Sequence, residues 1–397
     1  MHHGIRLFST FAFLLFFTGA LAAETVPTPP PKPASVSIVP APPSVAAKAF
    51  LLTDFDSGAI LASKNPDERV EPASLTKLMT SYIVAHELNA GKIHLDDLVT
   101  ISEKAWKMPG SKMFIEVGKQ VPVRDLIKGM IIQSGNDATV ALAEYIAGSE
   151  EVFVQLMNQW AKKLGMTGTH FTNSTGLPDP NHYTTARDLA ILARALIRDF
   201  PQHYAWYKEK VFTYNGIRQY NRNKLLWQDP SVDGIKTGHT ESAGYCLVAS
   251  AKRNDMRLIS ILLGADSARK RISESQKLLN YGFRFYETHR LYQAGQRLSD
   301  QKVWEGDTDL LAIGLTEDLY VTIPRGSYKH IKPMMEIEKV LKAPIHKDQQ
   351  VGTLKVMLNE QVLAERPLIA LNEVKEGSFF KKLSDQVKLM FADWLGE

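Results

Sequence analysis

A single cysteine, Cys246, leaves the chain without any internal disulfide. It sits in the apolar run Tyr245-Cys246-Leu247-Val248-Ala249, which reads as a core strand in which a buried, unassisted thiol is inert. Neither sign of charge dominates: 47 Lys and Arg against 43 Asp and Glu give a net charge of +4. So slight a bias suits anionic wall or lipid partners and excludes the strongly basic footprint of a nucleic-acid binder. The histidines are scattered, and His86-Glu87 lacks the following helical histidine of a zinc peptidase. No metal or other cofactor is implied. The apolar run Leu7 to Phe17, interrupted by Ser9 and Thr10, is short for a membrane-spanning helix. Preceded by the basic start Met1 to Arg6 and followed by Ala20-Leu21-Ala22, it reads as a cleavable secretory signal over residues 1–22.

What is present divides the remainder. Residues 23–46 are dense in proline (Pro27, Pro29, Pro30, Pro31, Pro33, Pro40, Pro42, Pro43), which removes amide donors and predicts an extended tether. Residues 47–286 alternate strand-like and helix-like patterns. A hairpin is expected around Asp56-Ser57-Gly58, and helices from Ser74, over 123–132, 137–146, 150–164, 185–197 and 271–286. Strands over 234–240, 245–252 and 257–264 complete an α+β fold, an antiparallel sheet flanked by helices. Residues 287–376 turn to short strand-like runs and predict a small all-β domain. Residues 377–397 place Phe379, Phe380, Leu383, Val387, Met390, Phe391, Trp394 and Leu395 on one helical stripe, with Lys381, Lys382, Asp385, Lys388 and Asp393 opposite. Such a helix suits a membrane interface but is too short and too charged to span comfortably.

Three short motifs carry chemistry: Ser74-Leu75-Thr76-Lys77, Ser134-Gly135-Asn136 and Lys236-Thr237-Gly238. S-x-x-K alone is weak, since it recurs at Ser267 to Lys270, Ser299 to Lys302 and Ser378 to Lys381. Ser74 differs in opening a helix, so that Lys77 projects one turn later on the same face. A serine hydroxyl attacks an acyl carbon only if a neighbour takes its proton, and Lys77 can do so only as a neutral amine. Burial and a second cation both depress a lysine pKa, and Lys236 is the natural second cation. The Ser74 amide at the helix start supplies one oxyanion donor. Ser134 can relay a proton and Asn136 can grip a peptide bond, although Asn136 alone would serve equally as an ordinary helix cap. Lys236, Thr237 and Gly238 lie on a strand that could hold an extended peptide by main-chain pairing, with Gly238 allowing close approach. Singly each motif is ordinary; all three in this order point to an active-site serine acyltransferase.

Together these stretches, extended to Pro72 to Tyr82, Gln133 to Ala138, Val232 to Thr240, Asn215 to Asn223 and Leu225-Leu226-Trp227, resemble the low-molecular-mass penicillin-binding proteins that act as D-alanyl-D-alanine carboxypeptidases, the type-5 group of the β-lactamase/transpeptidase superfamily. The resemblance runs from about Ala47 to Trp394. It implies a Ser74 acyl-enzyme, Lys77 as base, Ser134 and Asn136 as relay and substrate contact, and Lys236 with Thr237 receiving the terminal carboxylate. The His239 amide would be the second oxyanion donor, and Arg222 and Arg271 cations near that carboxylate; the residues alone suggest only solvated charges at both. The implied substrates are peptidoglycan stem peptides ending in D-Ala-D-Ala, with β-lactams as acylating ligands. The implied location is the periplasmic face of the inner membrane, held by the C-terminal helix. D,D-endopeptidase and serine β-lactamase activities are the alternatives; against the latter, no E-x-x-x-N context follows Gly148. One departure is visible. Between Trp106 and Phe114 only Lys107 to Met113 intervene, where better-known members carry a longer loop near the site.

Overall fold

A computed structural model describes Met1 and residues 39–395, with side chains through Phe391. The expected signal segment and the first part of the tether lie outside the described residues. Strands β1 (Ala49–Asp54) and β2 (Ile60–Lys64) form the expected hairpin. Helices α1 (Lys77–Asn89), α2 (Asn136–Ala147), α3 (Glu150–Leu164) and α4 (Ala186–Asp199) follow, before strands β3 (Val232–Thr240), β4 (Gly244–Arg253) and β5 (Met256–Ala265) and helix α5 (Ala268–Phe285). The strands make one antiparallel sheet in the order β2-β1-β5-β4-β3, so that β3 lies at an edge.

Strand alternation explains the layering. On β4 and β5, Cys246, Val248, Ile259 and Ile261 join the apolar cluster beneath α1 to α4. Their neighbours Leu247, Ala249, Leu258 and Leu262 face the other way, into a cluster with Ile272, Leu278 and Leu279 of α5. Cys246 is buried, and that burial pushes its thiol up to about 11, which keeps it protonated. The long helices are delimited by their own chemistry. Ser149 Oγ accepts from Val152 N at 3.3 Å to start α3, and Gly165, at φ +82°, ends it. Thr185 and Ser267 cap α4 and α5 in the same way.

Two expectations shift here. The helix from Val123 stops at Lys128 and continues as a π turn, Gly129–Gln133. The proline-rich segment is docked from residue 39 onward: Val39 and Val45 pack on the α5 side of the sheet, and Tyr281 donates to Pro40 O at 2.9 Å. Apolar burial and a carbonyl acceptor hold backbone that its prolines leave poor in donors.

Beyond α5 the chain forms strands β6 (Tyr286–Tyr292), β7 (Ser299–Trp304), β8 (Leu310–Gly314), β9 (Leu319–Pro324), β10 (Ile331–Ile337), β11 (Leu341–Lys342), β12 (Gln350–Leu358) and β13 (Gln361–Ala370). They make a six-stranded sheet, β10-β12-β13-β8-β7-β11, and the pair β6-β9, around a core that includes Val303, Ile313, Val321, Leu354 and Leu368. The two parts meet through polar contacts, among them Thr288 Oγ1 donating to Asp54 Oδ2 at 2.7 Å. The last helix, α6 (Phe379–Leu395), leaves Phe379 and Phe380 at 74% and 81% exposure, with Leu383, Val387, Met390 and Phe391 also exposed. Asp385 corrects the sequence reading of the opposite face. It is buried, accepts from the Glu305 amide at 2.9 Å and pairs with Lys381 at 3.1 Å, so the polar face docks on the β part while the apolar face is bare. Among the described residues no helix is long and apolar enough to cross a membrane.

Candidate active site

Ser74 lies in a 3-10 turn, Ala73–Thr76, that leads directly into α1. Ala73 is held in the left-handed region at φ +48°, a conformation that costs an alanine about 1–2 kcal/mol. A buried polar chain holds it there. The Thr172 amide donates to His182 Nδ1 at 3.0 Å, which places the proton on Nε2; that N–H faces Thr76 Oγ1 at 2.8 Å, and the Thr76 hydroxyl donates to Ala73 O at 2.8 Å. Burial pushes His182 down to about 4, so the chain is neutral at ordinary pH. Gly176 completes the seat, since a Cβ there would come within 1.8 Å of Ala73 O. Neither His182 nor Gly176 carries a motif that sequence reading would find.

Lys77 is 1% exposed, and its Nζ lies 3.1 Å from Ser74 Oγ, 2.7 Å from Asn136 Oδ1 and 2.6 Å from Thr175 O. Burial pushes its pKa down to about 7, opposed by the Asp137 carboxylate. The depression and its cause in burial were expected; the second-cation effect, also expected on Lys77, falls instead on Lys236. That lysine is held well below the usual range by its own burial and then by Lys77, Arg222 and Arg271. As a neutral amine Lys77 has two N–H bonds, which Asn136 Oδ1 and Thr175 O accept. Its lone pair is then left for the Ser74 hydroxyl.

Ser134, at φ +64°, follows the π turn and accepts from Lys236 Nζ at 2.7 Å. Asn136 is the first residue of α2, yet its side chain caps nothing; Gly135 occupies the cap position. The carboxamide bridges Lys77 and the short loop, donating through Nδ2 to Pro109 O at 2.7 Å, while its backbone amide donates to Ser111 O at 2.7 Å. The abbreviated Lys107–Met113 segment therefore closes directly onto Asn136. Asp137, which sequence reading treated as part of a helix start, anchors that segment by accepting from the Met113, Phe114 and Ile115 amides at 2.9, 2.9 and 3.3 Å.

Edge strand β3 presents buried Lys236 and Thr237. Gly238 packs on the Ser74 turn, where a Cβ would meet Pro72 O at 3.0 Å and Ala73 Cβ at 3.2 Å. His239 is exposed, its ring 4.0 Å from that of Tyr245. Arg271 is buried and reaches Gly238 O at 3.3 Å, with its Nε unpartnered. Arg222 is exposed and near Ser111 Oγ at 3.4 Å. The three motifs thus converge, with both arginines beside the β3 edge.

A serine hydroxyl facing a buried lysine of depressed pKa, at the edge of a helix-flanked antiparallel sheet, defines a serine hydrolase of the penicillin-interacting class. A model of the D-alanyl-D-alanine carboxypeptidase family matches residues 36–267, and one of the penicillin-binding protein 5 C-terminal domain matches residues 286–376. The chain belongs to the D-alanyl-D-alanine carboxypeptidase family. It is 48% identical to D-alanyl-D-alanine carboxypeptidase DacC of Escherichia coli (strain K12), over 99% of this chain and 97% of that one. It is 47% identical to DacA of the same strain, over 91% of each. The crystal structure of penicillin binding protein 5 from Haemophilus influenzae superposes with a TM-score of 0.82 at 47% identity, covering 84% of this chain and 99% of that one.

Proposed function

We propose that the protein is a serine D-Ala-D-Ala carboxypeptidase that removes the terminal D-alanine from peptidoglycan stem peptides and is acylated by β-lactams at the same serine. The observation that carries this reading is the Lys77 environment: two acceptors for its N–H bonds and a hydroxyl at 3.1 Å for its lone pair. Neutral Lys77 takes the Ser74 proton as Oγ attacks the penultimate D-Ala carbonyl. The developing oxyanion is met by the Ser74 and His239 amides. Ser134, hydrogen-bonded to Lys236, passes a proton to the departing amine, and Asn136 grips the peptide bond. Lys236, Thr237, Arg222 and Arg271 receive the carboxylate of the leaving D-alanine. An arriving carboxylate favours the charged form of Lys236, opposing the burial that disfavours it. Water then cleaves the ester with Lys77 as base.

The leader at residues 1–22 and the bare apolar face of α6 support an exported enzyme lying peripherally on the outer surface of the cytoplasmic membrane. The test is release of free D-alanine from a pentapeptide ending in D-Ala-D-Ala, abolished by Ser74→Ala; release that persists in the variant overturns the assignment.

A further inference from the structure

Lys77 keeps its lone pair for Ser74 only while both of its N–H bonds have acceptors, and one of those acceptors is a backbone carbonyl, Thr175 O. Every residue type at position 175 would offer that carbonyl, so its placement depends on what holds the segment around it. Residues 173–177 lie between α3 and α4 and belong to neither helix nor strand. One side chain gathers their amides instead. Asn173 Oδ1 accepts from the amides of Thr175, Gly176 and Leu177 at 3.1, 2.7 and 3.2 Å and from Thr175 Oγ1 at 3.0 Å. Asn173 Nδ2 donates to Leu177 O at 3.0 Å, which fixes the sense of the carboxamide. From the other side buried Glu150, the first residue of α3, accepts from the Ser174 amide at 3.0 Å and the Ser174 hydroxyl at 2.7 Å, while its second oxygen pairs with Lys104 at 3.0 Å. Ser149 already caps α3, so the Glu150 carboxylate is not spent on starting that helix.

Held in this way, two successive carbonyls meet two side chains one turn apart on α1: Thr80 Oγ1 donates to Ser174 O at 2.8 Å, and Lys77 Nζ lies 2.6 Å from Thr175 O. We propose that Asn173, supported by Glu150, is a positioning residue that holds the Thr175 carbonyl against Lys77 and so orients the base toward Ser74. The consequence differs from that of ordinary packing. A carbonyl acceptor stabilises an ammonium more than an amine, so withdrawing it lowers the pH at which Lys77 becomes neutral. The amine then has one idle N–H, and its lone pair is no longer fixed on Ser74, so the rate falls although more of the base is neutral. The other titratable groups around Lys77 are Asp137 of α2, Lys236 of β3 and His182. Their hydrogen bonds run to the Met113–Ile115 amides, to Ser134 and to Thr76 and Thr172, outside residues 173–177.

The inference rests on Lys77 acting as the base, and one experiment separates the two. Full-length wild type, Asn173→Ala, Asn173→Asp and Glu150→Ala are compared by the pH profile of acylation by a β-lactam, with competent sites counted from the final adduct. Asn173→Ala is expected to lose about tenfold in plateau rate per competent site and to move the inflection about half a unit or more toward acid. Asn173→Asp keeps an oxygen for the three amides, which hold it ionised. It is expected to recover most of the plateau while its added charge moves the inflection toward alkali. Glu150→Ala, which frees Ser174 from the other side, is expected to follow Asn173→Ala with about a threefold loss. A wild-type profile without the inflection overturns the base and the positioning role together. A wild-type inflection with variants that lose only competent sites, each remaining site keeping its rate and its inflection, overturns the positioning role and leaves the base standing. An Asn173→Asp enzyme no better than Asn173→Ala does the same.

Discussion

If Lys77 is the base, acylation must follow its protonation. The amine is poised at about 7 by burial, against 10.5 for an ordinary lysine. At pH 7 about half the enzyme then carries a neutral amine, where an unperturbed lysine would offer about three molecules in ten thousand, a difference on the order of a thousandfold or ~4 kcal/mol. The sign is set by which form works: the protonated amine cannot accept the Ser74 proton, so the rate climbs with pH and levels once Lys77 is neutral. The assay is the second-order rate constant for acylation by a β-lactam, measured by stopped flow between pH 5 and 9.5 with circular dichroism confirming the fold throughout. The expected profile rises about tenfold per unit below pH 6.5 and flattens above about 7.5. Lys77→Arg, which stays charged, falls at least roughly a thousandfold and loses the profile. A rate flat across the range, or still climbing at pH 9.5 as for an ordinary lysine, refutes the reasoning.

Three further outcomes follow from the packing. Gly238→Ala sets a methyl against Pro72 O and Ala73, displacing the Ser74 turn from the edge strand; acylation is expected to slow roughly 10–100-fold while the thermal midpoint moves little, both measurable on one preparation. Gly110→Ala is strained at φ +84° and places Cβ 2.9 Å from Asn136 Nδ2. It is expected to slow acylation about tenfold in the same assay through the misplaced carboxamide. Deleting residues 378–397 removes the exposed Phe379, Phe380, Leu383, Val387, Met390 and Phe391. The enzyme should move from the membrane to the soluble fraction with D-alanine release intact, and continued sedimentation with membranes would count against the anchor.

How much of this was legible in the sequence depended on what held each element. α3 carries its own cap in Ser149 and its own stop in Gly165, and its expected ends coincide with the observed ones. β4 and β5 were readable within a residue or two because both faces are apolar and buried. The hairpin Val211–Tyr214 with Ile217–Tyr220 and strand β10 were not, because they pair over exposed, mixed surfaces that leave no alternation. At the site, the nucleophile, base and edge strand were visible as motifs. The parts that hold them were not: His182, through Thr76, and Gly176 act on the Ser74 turn from positions distant in sequence, and Pro109 acts through a carbonyl that every residue possesses. Asn136 shows the limit clearly. Its placement suits a cap equally well, and only the fold turns its carboxamide to Lys77. Asp385 shows the same limit, since helical periodicity assigns a face to a charge but not a partner.

The central claim is that Ser74, alone among the serines of the S-x-x-K patterns, forms the acyl-enzyme. Incubation with a penicillin followed by intact-mass and peptide-mapping mass spectrometry tests it most directly. The account predicts one adduct per chain, on the peptide bearing Ser74 and absent from Ser74→Ala. An adduct on another serine, or an unmodified protein, would contradict it.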